Sequence, residues 1–340
     1  MSRGKSSIGR RTIIYGAGAI GGVVGGHLAL AGKDVVLIGR PGHMAAIREH
    51  GLRLITPGGT HILPMMAVTE PSQIDFGPED VVFLCVKGQD TEKALRTLRA
   101  QIEDIPVFCF QNGVRNEEVA SRYFPRVYGV AVSVGSVFIN DGEVIARYDP
   151  PGFHIMGVYP RGTDDLVNTV ATDLRDAGFL VGVTPDIMPY KWGKLLLNLN
   201  NAVGAITNVR GNGNERITRA ARQEAESVLA KAGIHWASVL SKDLVEPWPE
   251  IVGQPRKVLK VEAQSSTWQS LVRQRGTVEA DLLNGEIVRV AERLGFRAPI
   301  NEKLLNIVKE MAASRELPGK YTPAELCRQV GLEPVMPPAK

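Results

Sequence analysis

The sequence predicts an α/β chain in two parts, a doubly wound parallel sheet followed by an all-helical domain. Three observations predict it. Strand-like and helix-like segments alternate over residues 11–185, the pattern that gives a parallel sheet with helices on both faces. The first such unit fits strand, glycine-rich turn, helix and second strand into residues 11–40, about 30 residues, as one βαβ unit requires. Beyond Thr184-Pro185-Asp186 the β-branched alternation nearly vanishes and the apolar spacing turns helical.

Taken in order, apolar runs predict strands at 12–15, 35–39, 52–55, 81–86, 106–110, 128–138, 143–148, 153–158 and 180–184. Helices are expected between them at 19–31, 42–50, 90–101, 115–122 and 163–177. The strands of 128–158 are closely spaced around Asn140-Asp141-Gly142 and Pro150-Pro151-Gly152. They read as a largely antiparallel extension of the parallel sheet. Helical patterns then cover 187–208, 214–232, 235–245, 262–275, 277–294, 300–314 and 322–330. The expected organisation is a disordered tail (1–10), a nucleotide-binding domain (11–185), a helical domain (186–330) with a cleft between the two domains, and an irregular proline-containing tail (331–340).

Composition narrows the class. The chain has 340 residues, 44% of them apolar, and a net charge of +4. That is enough apolar content for sizeable cores. Lys and Arg are dispersed rather than gathered into a stripe, which argues against a nucleic-acid surface. Residues 1–10 lack the apolar segment of a secretory signal, and no run is long enough to span a membrane. Cys85, Cys109 and Cys327 have no metal-ligand spacing, and Cys85 and Cys109 sit in apolar runs as free thiols. A cytoplasmic enzyme without a metal is the expectation. A homodimer is the default assembly on base rate alone.

The turn Gly16-Ala17-Gly18-Ala19-Ile20-Gly21 carries a dinucleotide fingerprint in its proper setting, with a strand before it and a helix after it. The first glycine serves the tight turn, the second the approach of a pyrophosphate, the third close helix–strand contact. The helix N-terminus offers N–H groups and a positive dipole end to phosphates. A glycine-rich junction without a ligand is the plain alternative. The second strand ends in Arg40 rather than an acidic residue. Arginine suits the 2′-phosphate of NADP, with Arg48 as a further charge; an ordinary solvated arginine is the alternative.

Polar residues follow two further strands. Lys87 comes after VVFLCV, and Asn112 follows Gln111 after VFCF. Both sit where the nicotinamide end of a dinucleotide belongs, although Asn112-Gly113 also reads as plain turn chemistry. In KWGKLLLNLNNAVGAITN, Lys191, Lys194, Asn198 and Asn201 fall within an arc of roughly 80° on one helix face. Leucines cover the other sides, so the stripe is expected to face a cleft and its lysines to have movable pKa values. A solvated polar face is the alternative. Ser265, Ser266, Glu279, Asp281 and Asn284 lie on later helices, and nothing in their spacing singles out a site.

Together GAGAIGG at 16–22, Arg40, VK at 86–87, QNG at 111–113, KWGKLLLN at 191–198 and SSTWQSLVRQRGTVEADLLNG at 265–285 resemble the ketopantoate reductase (2-dehydropantoate 2-reductase) family. The resemblance covers about residues 10–315. It implies an NADP-binding Rossmann domain and a helical domain like the C-terminal part of 6-phosphogluconate dehydrogenase. It implies reduction of a 2-keto acid to a 2-hydroxy acid, the pantoate step of pantothenate synthesis. By the same resemblance Lys194 is the catalytic lysine and proton donor, with Glu279 as its acidic support. Asn112, Asn198 and Ser266 contact substrate or cofactor, and Lys87 lies near both. Gly16, Ala17, Gly18, Ala19, Ile20, Gly21 and Arg40 bind the cofactor. Ala202 stands where the family carries a substrate-contacting asparagine, and Asn201 is one residue earlier. Ser265 is the alternative to Ser266, because the run before Glu279 is one residue longer than usual. A reductase of another small 2-keto acid and a non-enzymatic NADP-binding sensor are the competing functions.

Overall fold

The run Thr12-Ile13-Ile14 is short and rich in β-branched residues, and it forms the strand from which the first sheet grows in both directions. The computed structural model describes residues 10–209, 213–239, 257–261 and 264–333. Most of both expected tails, and residues 240–245 of an expected helix, lie outside the described residues. The strands are β1 (Arg11–Tyr15), β2 (Asp34–Ile38), β3 (Leu52–Thr56), β4 (Gly59–Leu63), β5 (Met66–Val68), β6 (Val81–Leu84), β7 (Val107–Cys109), β8 (Val127–Val134), β9 (Ser136–Val137), β10 (Glu143–Ala146), β11 (Tyr148–Asp149), β12 (Gly152–Val158), β13 (Leu180–Val183) and β14 (Lys257–Val258). The helices are α1 (Ala19–Leu30), α2 (Pro41–His50), α3 (Thr91–Arg99), α4 (Asn116–Ser121), α5 (Asp165–Asp176), α6 (Met188–Asn198), α7 (Asn200–Thr207), α8 (Glu215–Lys231), α9 (Ser266–Val272), α10 (Asn284–Arg293), α11 (Pro299–Ala313) and α12 (Pro323–Gln329).

The described residues fall into two compact units, those within 1–191 and 238–261 and those within 192–237 and 262–340. The division falls inside α6, and the second stretch of the first unit adds β14, paired with β11. In the first unit an eight-stranded sheet has the order β13-β12-β8-β7-β6-β1-β2-β5. Successive side chains of each strand point to opposite faces, so the sheet has two cores. Ile14, Leu37 and Phe83 pack with α1 and α5, while Ile13, Val36 and Val82 pack with α3 and α4. This is the doubly wound arrangement.

The region 128–158 departs from expectation. β8 is parallel to β7, and of this region only β12 adds antiparallel pairing to the main sheet. The expected strand over 128–138 breaks at Gly135, where an added Cβ would stand 2.3 Å from the Tyr148 ring. β9 and β10 leave for a four-stranded sheet of order β4-β3-β10-β9, with β10 parallel to β3. β4 mixes glycine and polar residues with its apolar ones and β5 is only three residues long, which is why no strand is expected at either place. Cys109 is buried and Cys85 partly so, both as free thiols.

The second unit is helical. Ala202, Val203 and Ile206 of α7 pack with Ile217 of α8, Leu271 of α9, and Leu304, Val308 and Met311 of α11. The helix expected over 187–208 is interrupted at Leu199, between α6 and α7. There the buried Asn284 donates from Nδ2 to the Leu199 carbonyl (3.4 Å) and to Asn301 Oδ1 (3.0 Å). Asn301 in turn donates to the Ala221 carbonyl (2.9 Å) and Glu224 (2.8 Å). The helix expected over 277–294 divides into a 3-10 turn, Glu279–Leu282, and α10. Residues 235–239, expected to begin a helix, have no helical structure. No helix among the described residues is long and apolar enough to cross a membrane.

Candidate active site

Parallel neighbours β2, β1, β6 and β7 end on the same edge of the sheet. The loops after them carry, in that order, Arg40, the glycine turn, Lys87 and Asn112. This is the edge and the reversal of strand order at which doubly wound sheets bind ligands. Gly16 has φ +106°, and a Cβ on it would lie 2.5 Å from the Val86 nitrogen. Gly21 would bring a Cβ within 2.4 Å of the Gly16 carbonyl oxygen. Gly18 differs: its added Cβ meets only Phe138 Cδ1, at 3.9 Å. The space over Gly18 is therefore open, and the fold does not need that glycine for its own packing. A side-chain-free residue beside open space, at the start of α1, fits a pyrophosphate.

Arg40 is exposed and stands as the N-cap of α2. Arg48, expected as a further charge for the cofactor, donates instead to the Ala67 carbonyl on β5 (3.0 Å). Lys87 is partly buried and precedes a 3-10 turn, Gly88–Asp90, whose Asp90 N–H bonds back to the Lys87 carbonyl at 2.8 Å.

Behind Lys87 and Asn112 lies a buried polar network. Gln111 donates from Nε2 to the Val86 carbonyl and to Thr91 Oγ1, both at 2.8 Å. Thr91 donates to Asn116 Oδ1 (3.0 Å), and Asn116 donates to the Asn112 carbonyl (2.9 Å). The two loops are thus tied into one piece. Lys191 completes it. Its Nζ lies 2.7 Å from Glu117 Oε1 and donates to the carbonyls of Gln111 (2.8 Å) and Val130 (3.1 Å). The two side chains are 2% and 0% exposed. The Glu117 contact is off-axis, an ion pair rather than an aligned hydrogen bond. Lys191 therefore leaves the polar stripe in which the helical spacing groups it with Lys194. It belongs to the first unit, and its ammonium braces that unit's strand ends.

In the second unit, Lys194 and Asn198 lie one turn apart on α6, among Leu195, Leu196 and Leu197. Burial strips water from the Lys194 ammonium and pushes its pKa down to about 8. Asn198 is buried, and Asn201 is partly exposed on α7 beyond the break. Ala202 faces the helical core, 1% exposed. Ser265 caps α9: its Oγ accepts from the Trp268 N–H and donates to the Asn201 carbonyl, both at 3.3 Å. Ser266 is the first residue of α9, and Glu279 opens the 3-10 turn.

The family model described as ketopantoate reductase PanE/ApbA matches residues 12–159, and its C-terminal counterpart matches residues 186–312. The chain belongs to the ketopantoate reductase family. Among relatives in that family, the 2-dehydropantoate 2-reductase of Pyrococcus horikoshii is 31% identical, over 87% of this chain and 95% of its own length. That of Archaeoglobus fulgidus is 30% identical, over 88% and 97%. A crystal structure of a PanE/ApbA family ketopantoate reductase from Ralstonia eutropha JMP134 matches with a TM-score of 0.72 at 30% identity, covering 90% of this chain and 99% of that one. The ternary structure of D-mandelate dehydrogenase with NADH and anilino(oxo)acetate has a TM-score of 0.75 at 22% identity over 90% of this chain, a likeness of fold alone. The ketopantoate reductase family is one of oxidoreductases, and this member carries its two parts in the family's order.

The braced network of Gln111, Thr91, Asn116, Glu117 and Lys191 is what sequence reasoning misses in this ketopantoate reductase family member. The available signal is a glutamate and a lysine on short helices that otherwise bury their apolar sides.

Proposed function

We propose that the protein reduces ketopantoate to pantoate with NADPH, the reductive step toward pantothenate. The observation that carries the chemistry is Lys194, a lysine on a leucine-rich helix with its pKa lowered to about 8. A group with a pKa near neutrality holds a proton at physiological pH and releases it readily, as a general acid must. The family supplies the substrate assignment, and Arg40 after β2 supplies the choice of NADP over NAD.

A bound nicotinamide dinucleotide supplies the hydride. Gly16, Ala17, Gly18, Ala19, Ile20 and Gly21 hold its pyrophosphate, Arg40 its 2′-phosphate, and Lys87 and Asn112 its nicotinamide half. Lys194 donates a hydrogen bond from Nζ to the ketone oxygen and passes it a proton as the carbonyl carbon is reduced. The product then carries a hydroxyl, and the lysine is left neutral until water reprotonates it. The same ammonium stabilises negative charge developing on that oxygen. Glu279 supports the charged lysine, and Asn112, Asn198, Asn201 and Ser266 orient the substrate.

Ala202 favours a second reading. It lies in the helical core, so the asparagine expected at that position has no counterpart there, and Asn201 is the available amide. A different small 2-keto acid is the corresponding substrate. NADPH oxidation followed with ketopantoate and a panel of 2-keto acids decides between the two. Activity on none of them refutes both. Lys194→Ala is expected to lose at least about 100-fold in kcat while keeping NADPH affinity. Arg40→Ala is expected to weaken NADPH and leave NADH nearly unaffected.

A further inference from the structure

The hairpin of β9 and β10 lies outside the sheet that carries the glycine turn, yet it is fastened to α1 and α2, the helices that follow that turn and Arg40, and reaches the turn itself at Gly18. Val144 of β10 packs on α1 at Gly22, where an added Cβ would come within 2.6 Å of Val144 Cγ1. The connecting loop, residues 138–142, is tied to α2 by the Gly142 N–H, which donates to His43 Nδ1 at 2.8 Å. An added Cβ on Gly42 would lie 2.6 Å from Asp141 Oδ2, so the loop runs along the start of α2, directly after Arg40. The residue that reaches Gly18 is Phe138. Its ring centroid is 4.5 Å from that of His43, and its Cδ1 lies 3.9 Å from where a Gly18 side chain would begin.

The geometry points to Phe138 as a cofactor-contacting residue, the outer wall of the channel that passes over Gly18, with His43 as the positioning residue that holds it there. The inference rests on the dinucleotide reading above. The second glycine of the fingerprint is bare because the pyrophosphate runs where its side chain would project. Phe138 is the side chain that bounds this space. A ligand lying over Gly18 has backbone N–H groups on one flank and the Phe138 ring on the other. An apolar wall keeps water from that flank, and hydrogen bonds to phosphate strengthen as the local dielectric falls. His43 serves in the tautomer with a bare Nδ1, the form that accepts from Gly142. Asparagine at position 43 keeps an acceptor oxygen, whereas leucine keeps only bulk.

Isothermal titration of the full chain with NADPH, alongside thermal unfolding of the ligand-free protein, tests this. Phe138→Ala is expected to raise the NADPH Kd roughly tenfold. KM for NADPH rises with it, and the ligand-free unfolding temperature falls by the packing the ring loses against the core. Phe138→Leu keeps the fold if alanine impairs it and moves Kd in the same direction. Ile139→Ala, on an exposed neighbour in the same loop, leaves Kd unchanged. His43→Leu raises Kd, and His43→Asn restores most of the loss. A Kd for both Phe138 variants within about twofold of wild type overturns the inference and leaves the dinucleotide reading intact. Failure of the wild type to bind either NADPH or NADH overturns both.

Discussion

Replacing Lys191 with methionine keeps the length of the side chain and removes its charge, which isolates the part the ammonium plays. The Lys191 ammonium donates hydrogen bonds to the carbonyls of Gln111 at 2.8 Å and Val130 at 3.1 Å and pairs its charge with Glu117 Oε1 at 2.7 Å. The substitution leaves the Glu117 carboxylate, 0% exposed, without its cation. Removing one partner of a buried ion pair costs about 3–5 kcal/mol, mostly the cost of the charge left behind. For a unit of this size each kcal/mol lowers the unfolding temperature by about 2–4 °C, so a fall of about 6–20 °C is expected. Scanning calorimetry of Lys191→Met at neutral pH measures it. The double variant Glu117→Gln with Lys191→Met should recover much of the loss, because it no longer buries an uncompensated charge. A loss below about 1 kcal/mol, the usual worth of a solvated pair, would falsify the view of this pair as an enclosed brace.

Further outcomes follow from the site. Gly18→Ala introduces a methyl into open space and should leave the unfolding temperature unchanged while weakening NADPH binding. Gly21→Ala drives its methyl to within 2.4 Å of a backbone oxygen and should destabilise the fold itself; equal effects on stability would refute the distinction. The proposed role of Lys194 as proton donor carries a pH dependence: if keto-acid reduction draws its proton from this lysine, kcat/KM should fall as pH rises through about 8, while oxidation of the hydroxy acid should rise through the same value. Stability moves in the complementary sense. The pKa is lowered from 10.5 to about 8 on folding, so the unfolded chain holds the extra proton between those values and stability grows with pH across that window. Below it the full cost of the desolvated ammonium is present. Lys194→Met should therefore be more stable than wild type at pH 7, and denaturant titrations at pH 7 and above 10.5 would reveal whether that advantage fades.

The first βαβ unit is legible because its demands are local. A tight turn, a close approach and a bare residue each require glycine, at spacings fixed by one strand–helix junction. The apolar strands and the helical texture after Pro185 are legible through periodicity. The second sheet is not, since β4 mixes glycine and polar residues with its apolar ones and β10 joins β3 from far along the chain. Lys191 is the clearest case of a site residue misread. Helical spacing groups it correctly with Lys194, but spacing carries no information on which residues a helix meets. Its ammonium is claimed by Glu117 and two carbonyls that approach from α4, β8 and the end of β7. Ser265 is a milder example. A serine three residues before an N–H that it can accept from is a capping signal, and the structure uses it so.

The split of the first unit along the chain bears on how the protein is made. A fragment ending at residue 185, where the sequence texture changes, would lack Lys191 and leave Glu117 buried beside bare carbonyls. It would also lack β14, whose Val258 pairs with Tyr148, and the Leu259 N–H that bonds to the Arg147 carbonyl at 2.8 Å. During synthesis all eight strands of the main sheet therefore emerge before Lys191 and β14, the last parts of the first unit. β14 follows α8, so part of the helical unit is already present before β11 receives its partner strand. Recombinant dissection of this protein into separate halves must cut at more than one point.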